Sequence, residues 1–536
     1  MAQWVPVDAD REAEYMARGW WGSASLRERI VAHAVSCPDA TAYVWDGARI
    51  SWAGYLELID ALAGRLAAVG LARGDRVLVL LPDGAAVHAA FVACETAGLI
   101  AVGVGWRAGA RELEHLVDKT AAKAVVTTSE TRLGRGSEVA ERLALPAPII
   151  VDSLDTEPAV APGPAAALVH LPLGPSEPWL LNSTSGTTGL PKCVVQTQNR
   201  WVYFHQLAME FGALTSDEVW MSVVPAPFGF GLWTSHVSPT IEGATCVVQS
   251  RFDASEALRL IESERVTVLA AVSSQFVMLL DAHTDEDLSS LKVLFTGGEA
   301  ISPARAAEFE QTTGCTILNF YGSNETGLLS GTRVDDPASR RFTTGGRVVA
   351  DMQVRLYDEA ANRIVGDRGR GRPACKGPAL ALGYWDDDRA NAELFTHDGW
   401  MFMGDIVEID HDDYLAVVGR TSDFIIRGGK NISAPAVEEE VSSHPRVRLC
   451  AVVPVPDDRL GERVAAVVEL TSGSLELAEL LAHLDRRGVS KEWWPEYLEV
   501  VPSLPRSSGG KVAKSELRAM VGRLRPAAEM PMERED

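Results

Sequence analysis

Basic residues are in short supply in this chain: 50 Lys and Arg stand against 73 Asp and Glu, a formal charge of -23. That deficit argues against wrapping nucleic acid or docking on an anionic membrane, since either needs a basic face to neutralise phosphates. A local basic pocket for one phosphate-bearing ligand stays compatible with it. Cysteine is sparse as well. The seven (Cys37, Cys94, Cys193, Cys246, Cys315, Cys375, Cys450) are odd in number, scattered and never spaced CxxC. They read as free thiols in a reducing compartment, not as a disulfide framework or a zinc site. No apolar run approaches the roughly 20 residues that span a bilayer. The N-terminal stretch MAQWVPVDADREAEYMARGWW has acidic residues and no apolar h-region, so no signal peptide is evident. A soluble, cytoplasmic enzyme without a membrane span is the expectation. There is no internal repeat.

What is present fits a large globular chain. Its 536 residues exceed one ordinary core, and at roughly 100–200 residues per domain two to four structural units are expected. Short apolar runs alternate with longer Ala/Glu/Leu-rich segments: Arg76 to Pro82, then Ala85 to Ala97, then Ala122 to Thr128, with the same rhythm at Val266–Val272 and Leu291–Phe295. Runs of that kind suit parallel strands covered on both faces, joined by crossover helices, so an α/β fold is predicted. Ser153 to Pro178, rich in Pro, Ala and Gly, reads as a surface connection between subdomains. Beyond Gly404-Asp405 the pieces Asp413–Val418 and Phe424–Ile426 are strand-like. A smaller α+β unit is expected from about Asp423 to the end, closed by a disordered acidic tail, Met530–Asp536.

The loop Ser183-Thr184-Ser185-Gly186-Thr187-Thr188-Gly189-Leu190-Pro191-Lys192 combines small residues, two glycines and several hydroxyls ahead of one Lys. Gly permits close backbone approach, while amides, hydroxyls and an ammonium donate to phosphate oxygen. It does not match the Walker pattern, because Lys192 follows Pro191 and no Ser or Thr comes next. A generic loop of this composition is as readily a solvated turn, but the run STSGTTGLPK is far more specific.

That run resembles the phosphate-binding loop of the adenylate-forming family that contains acyl-CoA synthetases, peptide-synthetase adenylation domains and luciferases, and further motifs follow in the family's order. The resemblance implies a large N-terminal domain over 1–421 with parallel-type sheets, and a small mobile α+β domain over 422–536. Phe295 to Ala300 is similar to the loop at the adenine and acyl pocket, implying Gly297, Gly298, Glu299 and Ala300 as ligand contacts. Asn319 to Gly327 resembles the segment in which an aromatic stacks near adenine and a Glu supports Mg2+. Asn319, Phe320, Tyr321, Gly322, Ser323 and Asn324 would then line the nucleotide site with Thr184, Ser185, Gly186, Thr187 and Thr188, and Glu325 would hold the metal. Asp405 would accept from the ribose hydroxyls, and Arg420 would add a second ribose or phosphate contact. Lys511, in Pro505 to Lys511, would bridge carboxylate and α-phosphate beside Lys192. An acyl pocket would draw on Phe228, Trp233, Ser273, Gly297, Gly298 and Ser323, a mixture that suits an apolar or cyclic acid, although Phe228 and Trp233 fit a core equally well. Taken singly, Glu325, Asp405 and Lys511 are ordinary surface or turn residues; their shared order is what raises them above that.

In the family the small domain swings between two half-reactions. The hinge would be Ser422, and Gly428 and Gly429 would edge the CoA tunnel. ATP (or a supplied acyl-AMP), Mg2+ and CoA are the implied cofactors, and a carboxylic acid the substrate. CoA is the preferred thiol, with a carrier protein in trans left open, and oligomeric state is not read from the sequence. Several positions depart from the family pattern: Asn324 and Met403 replace Thr, Arg372 follows Gly371 where Glu is common, Phe228 replaces a frequent His, and Ser273-Ser274 replaces Pro-Thr. Three readings follow: a complete acyl-CoA ligase, an enzyme that only converts supplied acyl-AMP to thioester, and a catalytically silent acyl-AMP binder.

Overall fold

The computed structural model describes residues 4–146, 148–152, 171–183, 192–299, 301–358, 361, 363–420, 424–427, 430–457, 459–506 and 512–522. Two compact units emerge. The first runs through Met403 and includes Val407–Val417; the second takes Gly404–Ile406 and the chain from Val418 onward.

In the first unit the alternation of apolar runs and helical segments becomes two sheets. The strands Arg76–Leu80, Ile100–Gly103 and Ala124–Thr127 pair in parallel, with the helix Ala85–Thr96 as the crossover between the first two. Parallel strands need such a crossover, and burial on both faces gives their near-continuous apolar composition. Leu180–Ser183 joins in parallel to Ile100–Gly103, and Cys193–Gln196 returns antiparallel beside it, so the two ends of the phosphate-loop motif are adjacent strands of one six-stranded sheet.

The second sheet has nine strands, whose middle members Thr41–Trp45, Cys246–Val248, Trp220–Ser222, Val268–Ala270, Val293–Gly297 and Thr316–Ser323 are parallel. Side chains alternate between its faces: Trp220, Val268, Val293 and Leu318 enter one core cluster, whereas Met221, Leu269, Leu294 and Ile317 enter another. The period of two sends successive residues to opposite sides, so helices must cover both. The α/β expectation is met.

The second unit is built around the long antiparallel pair Val447–Asp457 and Gly461–Leu470. Val452, Val464, Ala466 and Val468 pack with the helices Ala434–Ser442 and Leu477–Arg486, while Val453, Val455, Ala465 and Val467 pack with Lys514–Val521. The same period-two rule makes a small α+β unit with a helix layer on each side of its sheet. Among the described residues no helix is long and apolar enough to cross a membrane.

Candidate functional site

Strand ends carry most of the sequence-derived candidates, and in the first unit several meet. The Glu325 carboxylate accepts a 2.7 Å hydrogen bond from the Tyr384 hydroxyl through Oε1. Lys192 Nζ lies 4.6 Å from the centre of the same tyrosine ring, a cation–π distance. Tyr384 is placed there because residues 382–385 lie along the strand Cys193–Gln196: the Trp385 amide donates to the Cys193 carbonyl and the Val195 amide to the Gly383 carbonyl. Burial, with the Glu325 charge next, raises the phenol pKa, so Tyr384 remains a donor. Lys192 and Glu325, far apart in sequence, therefore share one neighbour that the sequence reading did not single out.

Behind Glu325 stands a buried polar cluster. Arg200 is 1% exposed, and its guanidinium donates to the Ala379 carbonyl (2.7 Å), the Asn324 carbonyl (3.0 Å), the Glu325 carbonyl (3.3 Å) and Gln196 Oε1. Burial pushes its pKa down to about 9, with the Glu325 charge opposing the shift. Gln196 Nε2 donates to Asn182 Oδ1 at 2.8 Å. Asn182 and Asn324 exchange two amide hydrogen bonds of 2.9 Å each, and Asn182 Nδ2 also donates to the Pro227 carbonyl at 3.0 Å. Asn182, Gln196 and Arg200 were missed because a polar run such as Gln196-Thr197-Gln198-Asn199-Arg200 reads as a solvated helix start. All five are buried instead. Polar residues directly after the fully buried Cys193–Gln196 strand were the available signal.

Other candidates serve the fold more than a ligand. Trp233 is fully buried, stacked between Phe204 at 4.5 Å and Phe230 at 5.7 Å. Phe320, 7% exposed, sits against Trp233 at 5.7 Å and Phe295 at 5.0 Å. Both rings pack in the aromatic core, which for Trp233 is the alternative that the sequence left open. Phe228 and Phe230 are half-buried in the segment that follows Pro227. At Gly297, expected as a ligand contact, and Gly322, expected to line the nucleotide site, a Cβ would fall 2.3 Å from the Phe320 carbonyl oxygen and 1.8 Å from that of Gly327 respectively. The neighbouring backbone alone demands glycine. Gly298, at φ +76°, needs it for the left-handed turn. Glu299 accepts from the Ser274 amide at 3.0 Å, so one carboxylate oxygen caps the helix Ser273–Ala282, where an anion is favoured. Asn319 Nδ2 donates to the Thr344 carbonyl at 2.8 Å. Tyr321 is buried, and Ser323 is half-buried and accepts from the amides of Glu325 and Thr326.

The unusual residues near Asp405 also have partners. Met403, 2% exposed, belongs to the large core cluster, and Arg372 Nε donates to its carbonyl at 2.9 Å while the guanidinium lies over Phe402. Asp405 is 9% exposed, at the start of the strand Asp405–Ile409. Arg420 ends the strand Leu415–Arg420. Thr184, Ser185, Gly186, Thr187, Thr188, Ala300, Ser422, Gly428, Gly429 and Lys511 lie outside the described residues, as do residues 153–170 and the acidic tail.

A family description, "AMP-binding enzyme", matches residues 30–385, and its companion, "AMP-binding enzyme C-terminal domain", matches 436–511. The chain belongs to the AMP-binding enzyme family. It is 33% identical to 2-hydroxy-7-methoxy-5-methyl-1-naphthoate–CoA ligase of Streptomyces carzinostaticus, over 98% of both chains. It is 32% identical to the salicyl-AMP ligase / salicyl-S-ArCP synthetase of Mycobacterium tuberculosis, over 97% of this chain and 94% of the other. Among solved structures, the o-succinylbenzoate CoA synthetase of Bacillus subtilis in complex with its acyl-adenylate intermediate superposes with a TM-score of 0.76 at 23% identity. That likeness covers 94% of this chain and 99% of the other and concerns the fold. Adenylate-forming chemistry is thus the family's, and relatives include ligases that use CoA.

Proposed function

We propose that this protein is an ATP-dependent, AMP-forming acid–thiol ligase that joins an apolar or cyclic carboxylic acid to CoA through an acyl-AMP. The observation that carries this reading is the meeting of Lys192, Tyr384 and Glu325 at the strand that follows the phosphate-loop motif. A cation and an oriented carboxylate at one point suit a polyphosphate and its metal. The naphthoate- and salicylate-directed relatives support an acid that carries a ring.

In the first half-reaction a carboxylate oxygen bonds to the α-phosphorus and the bond to the β-phosphate oxygen breaks, releasing pyrophosphate. Anion attacks anion, so position and charge neutralisation supply most of the catalysis. Lys192 and Lys511 would supply cations, the loop 184–188 its donors, and Asp405 and Arg420 the ribose contacts. Glu325 fits a hard divalent cation: Oε1 is occupied by Tyr384, Oε2 accepts from no described residue, and a carboxylate oxygen is an ordinary Mg2+ ligand. Mg2+ held there would neutralise phosphate charge. In the second half-reaction the CoA sulfur bonds to the acyl carbon, the acyl C–O bond breaks, AMP leaves and the thiol proton passes to solvent. Rotation at Ser422 of a domain spanning 422–536 against 1–421, with Gly428 and Gly429 at the thiol's path, would separate the steps.

The test is a panel of aromatic, alicyclic and fatty acids with ATP, Mg2+ and CoA, alongside synthetic acyl-AMP with CoA, read by mass spectrometry. Acyl-AMP and then acyl-CoA are expected from at least one ring-bearing acid. Thioester from acyl-AMP but never from acid and ATP would replace the full ligase with a thioesterification enzyme. Product only on a phosphopantetheinyl carrier protein would replace CoA as acceptor, and no product under any condition would leave a silent binder.

A further inference from the structure

The departure at Asn324 does not stand alone. Its side chain and that of Asn182 form a closed pair, and the surroundings fix which way each amide faces. Oxygen and nitrogen of an amide are told apart by their hydrogen-bond partners. The Pro227 carbonyl only accepts, so the group 3.0 Å from it must be the Asn182 nitrogen. The second N–H of that nitrogen then meets Asn324 Oδ1, which leaves Asn324 Nδ2 facing Asn182 Oδ1.

Gln196 locks the arrangement from a third side. Its Oε1 accepts from both Arg200 and the Trp201 indole, so its nitrogen faces the two asparagines, donating to Asn182 Oδ1 at 2.8 Å and Asn324 Oδ1 at 3.2 Å. Each amide offers two donor hydrogens and two acceptor lone pairs. In Asn182, 0% exposed, all four are used: two hydrogens on Pro227 and Asn324, two lone pairs on Gln196 and Asn324. In Asn324 both lone pairs and one hydrogen are used. Among the described residues nothing takes its second Nδ2 hydrogen, and the residue is half-buried, so that hydrogen is the one left over among the three amides.

The main chain adds a steric limit. A Cβ on Gly229, in the segment after Pro227, would lie 2.7 Å from Asn324 Oδ1, so glycine there leaves the amide its place. Asn182 thus ties three strands of the proposed chemistry together: the strand Leu180–Ser183 that enters the phosphate loop, the Pro227 carbonyl of the proposed acyl segment, and the residue before Glu325.

We propose that Asn182 is a positioning residue that sets the flip of the Asn324 amide, so that Asn324 presents a single N–H donor to an anionic phosphoryl oxygen of the nucleotide. A hydroxyl at 324 could rotate to find its acceptor; an amide cannot exchange its ends without breaking the pair, which is why a partner is needed. This rests on the adenylate-forming reading of the site and deepens it.

The experiment compares wild type with Asn182→Ala, Asn324→Ala and the double variant. Each is titrated calorimetrically with Mg-ATP and with AMP, assayed for acid-dependent pyrophosphate exchange, and melted. A charge-assisted hydrogen bond carries about tenfold in affinity. Asn324→Ala should therefore weaken Mg-ATP binding about tenfold, and Asn182→Ala, which removes no proposed contact with the nucleotide, should weaken it by a similar factor of about three to ten. The double variant should lose no more than the worse single one, since one device is broken once. Losses that multiply, or an Asn182→Ala enzyme that melts earlier yet binds Mg-ATP and AMP like wild type, overturn the proposal. Gly229→Ala gives a second approach with both asparagines intact: it should weaken Mg-ATP binding, and unchanged affinity counts against the pair. Wild type that binds nucleotide but forms no acyl-AMP refutes the activity alone, leaving the pair to be decided by the titrations. Wild type that binds neither nucleotide overturns both.

Discussion

Two groups of buried polar side chains in the first unit solve the same problem in opposite ways. The Asn182–Gln196–Arg200–Asn324 cluster meets nearly all its donors and acceptors with one another and with neighbouring main-chain carbonyls, and holds even an enclosed guanidinium. Elsewhere in the same unit Tyr43, His88, His236 and Trp179 form a column of stacked rings, with centroids 4.9, 5.3 and 5.6 Å apart. There both ring nitrogens of His236 have no hydrogen-bond partner among the described residues, while His88 Nε2 lies 3.4 Å from the buried Asp83 carboxylate. The His236 imidazole behaves as a flat aromatic plate. Burial and the neighbouring His88 hold the pKa of His236 well below its ordinary value, consistent with a ring kept neutral. A hydrogen-bonded network fixes orientation, because few arrangements of its members work; a stack of rings fixes shape and asks less of direction. The first kind lies beside Glu325, where direction matters.

The largest effect that separates them should come from Arg200. Arg200→Met leaves two main-chain carbonyls of the Asn324-Glu325 segment, the Ala379 carbonyl and the Gln196 oxygen short of a donor. Removing one partner of a buried charged network costs about 3 kcal/mol or more. Urea unfolding of the first unit should show that loss, with adenylate formation falling as the Glu325 segment loosens. A variant as stable as wild type would mean that the cluster does not hold this segment.

Tyr384→Phe probes the same side more gently. The ring, and with it the Lys192 contact at 4.6 Å, remains, and only the hydroxyl on Glu325 goes. Pyrophosphate exchange should drop about tenfold through lost orientation of the carboxylate, with stability changed by only about 1 kcal/mol. A dependence of the rate on Mg2+ identical to wild type would show that the tyrosine does not orient Glu325.

What the sequence made legible follows the same division. The alternating sheets and crossovers were readable because period two and buried apolar runs are local signals. The ordering of Lys192, Glu325 and Asp405 was readable because the motifs are contiguous. Asn182, Gln196, Arg200 and Tyr384 were not, since each acts through a partner far along the chain: Asn182 through Asn324, Arg200 through Ala379. For Trp233 and Phe320 the sequence offered ligand contact, with a core role equally open for Trp233, and the side chains stack together in the aromatic core. In the sequence, Asn324, Met403 and Arg372 are three separate departures from the family pattern. In three dimensions the first is paired with Asn182, and the other two with each other.

The ring column should respond chiefly to pH. His236 has a folded-state pKa below its ordinary 6.5, so above that pH both folded and unfolded chains hold it neutral and its burial is free of a proton cost. Below it the unfolded chain takes up a proton that the folded one refuses, and stability is lost as pH falls. His236→Phe should keep the stack and the activity while removing that loss below about pH 6.5, a change of at most about 1.4 kcal/mol per pH unit. Urea midpoints of variant and wild type that fall in parallel from pH 7 to 5 would show that the ring is protonated inside the fold.

Glu95, on the same helix as His88, titrates in the opposite sense and masks part of this slope. Burial, against opposing hydrogen bonds from Ser25 and Arg27, raises its carboxyl from 4.5 to about 7. Between those values the folded chain keeps a proton that the unfolded chain has released, so its stabilising share is complete below the lower value and is lost as pH rises through the upper one. Wild type should therefore show a shallow pH profile made of two slopes that partly cancel between about pH 4.5 and 6.5. Glu95→Gln, which keeps shape and neutrality, should steepen the loss toward acid, and His236→Phe should expose the loss toward neutral pH. Adding the two changes should flatten both limbs. Slopes of the same sign in the two single variants would show that one of these side chains carries a different charge inside the fold from the one its surroundings favour.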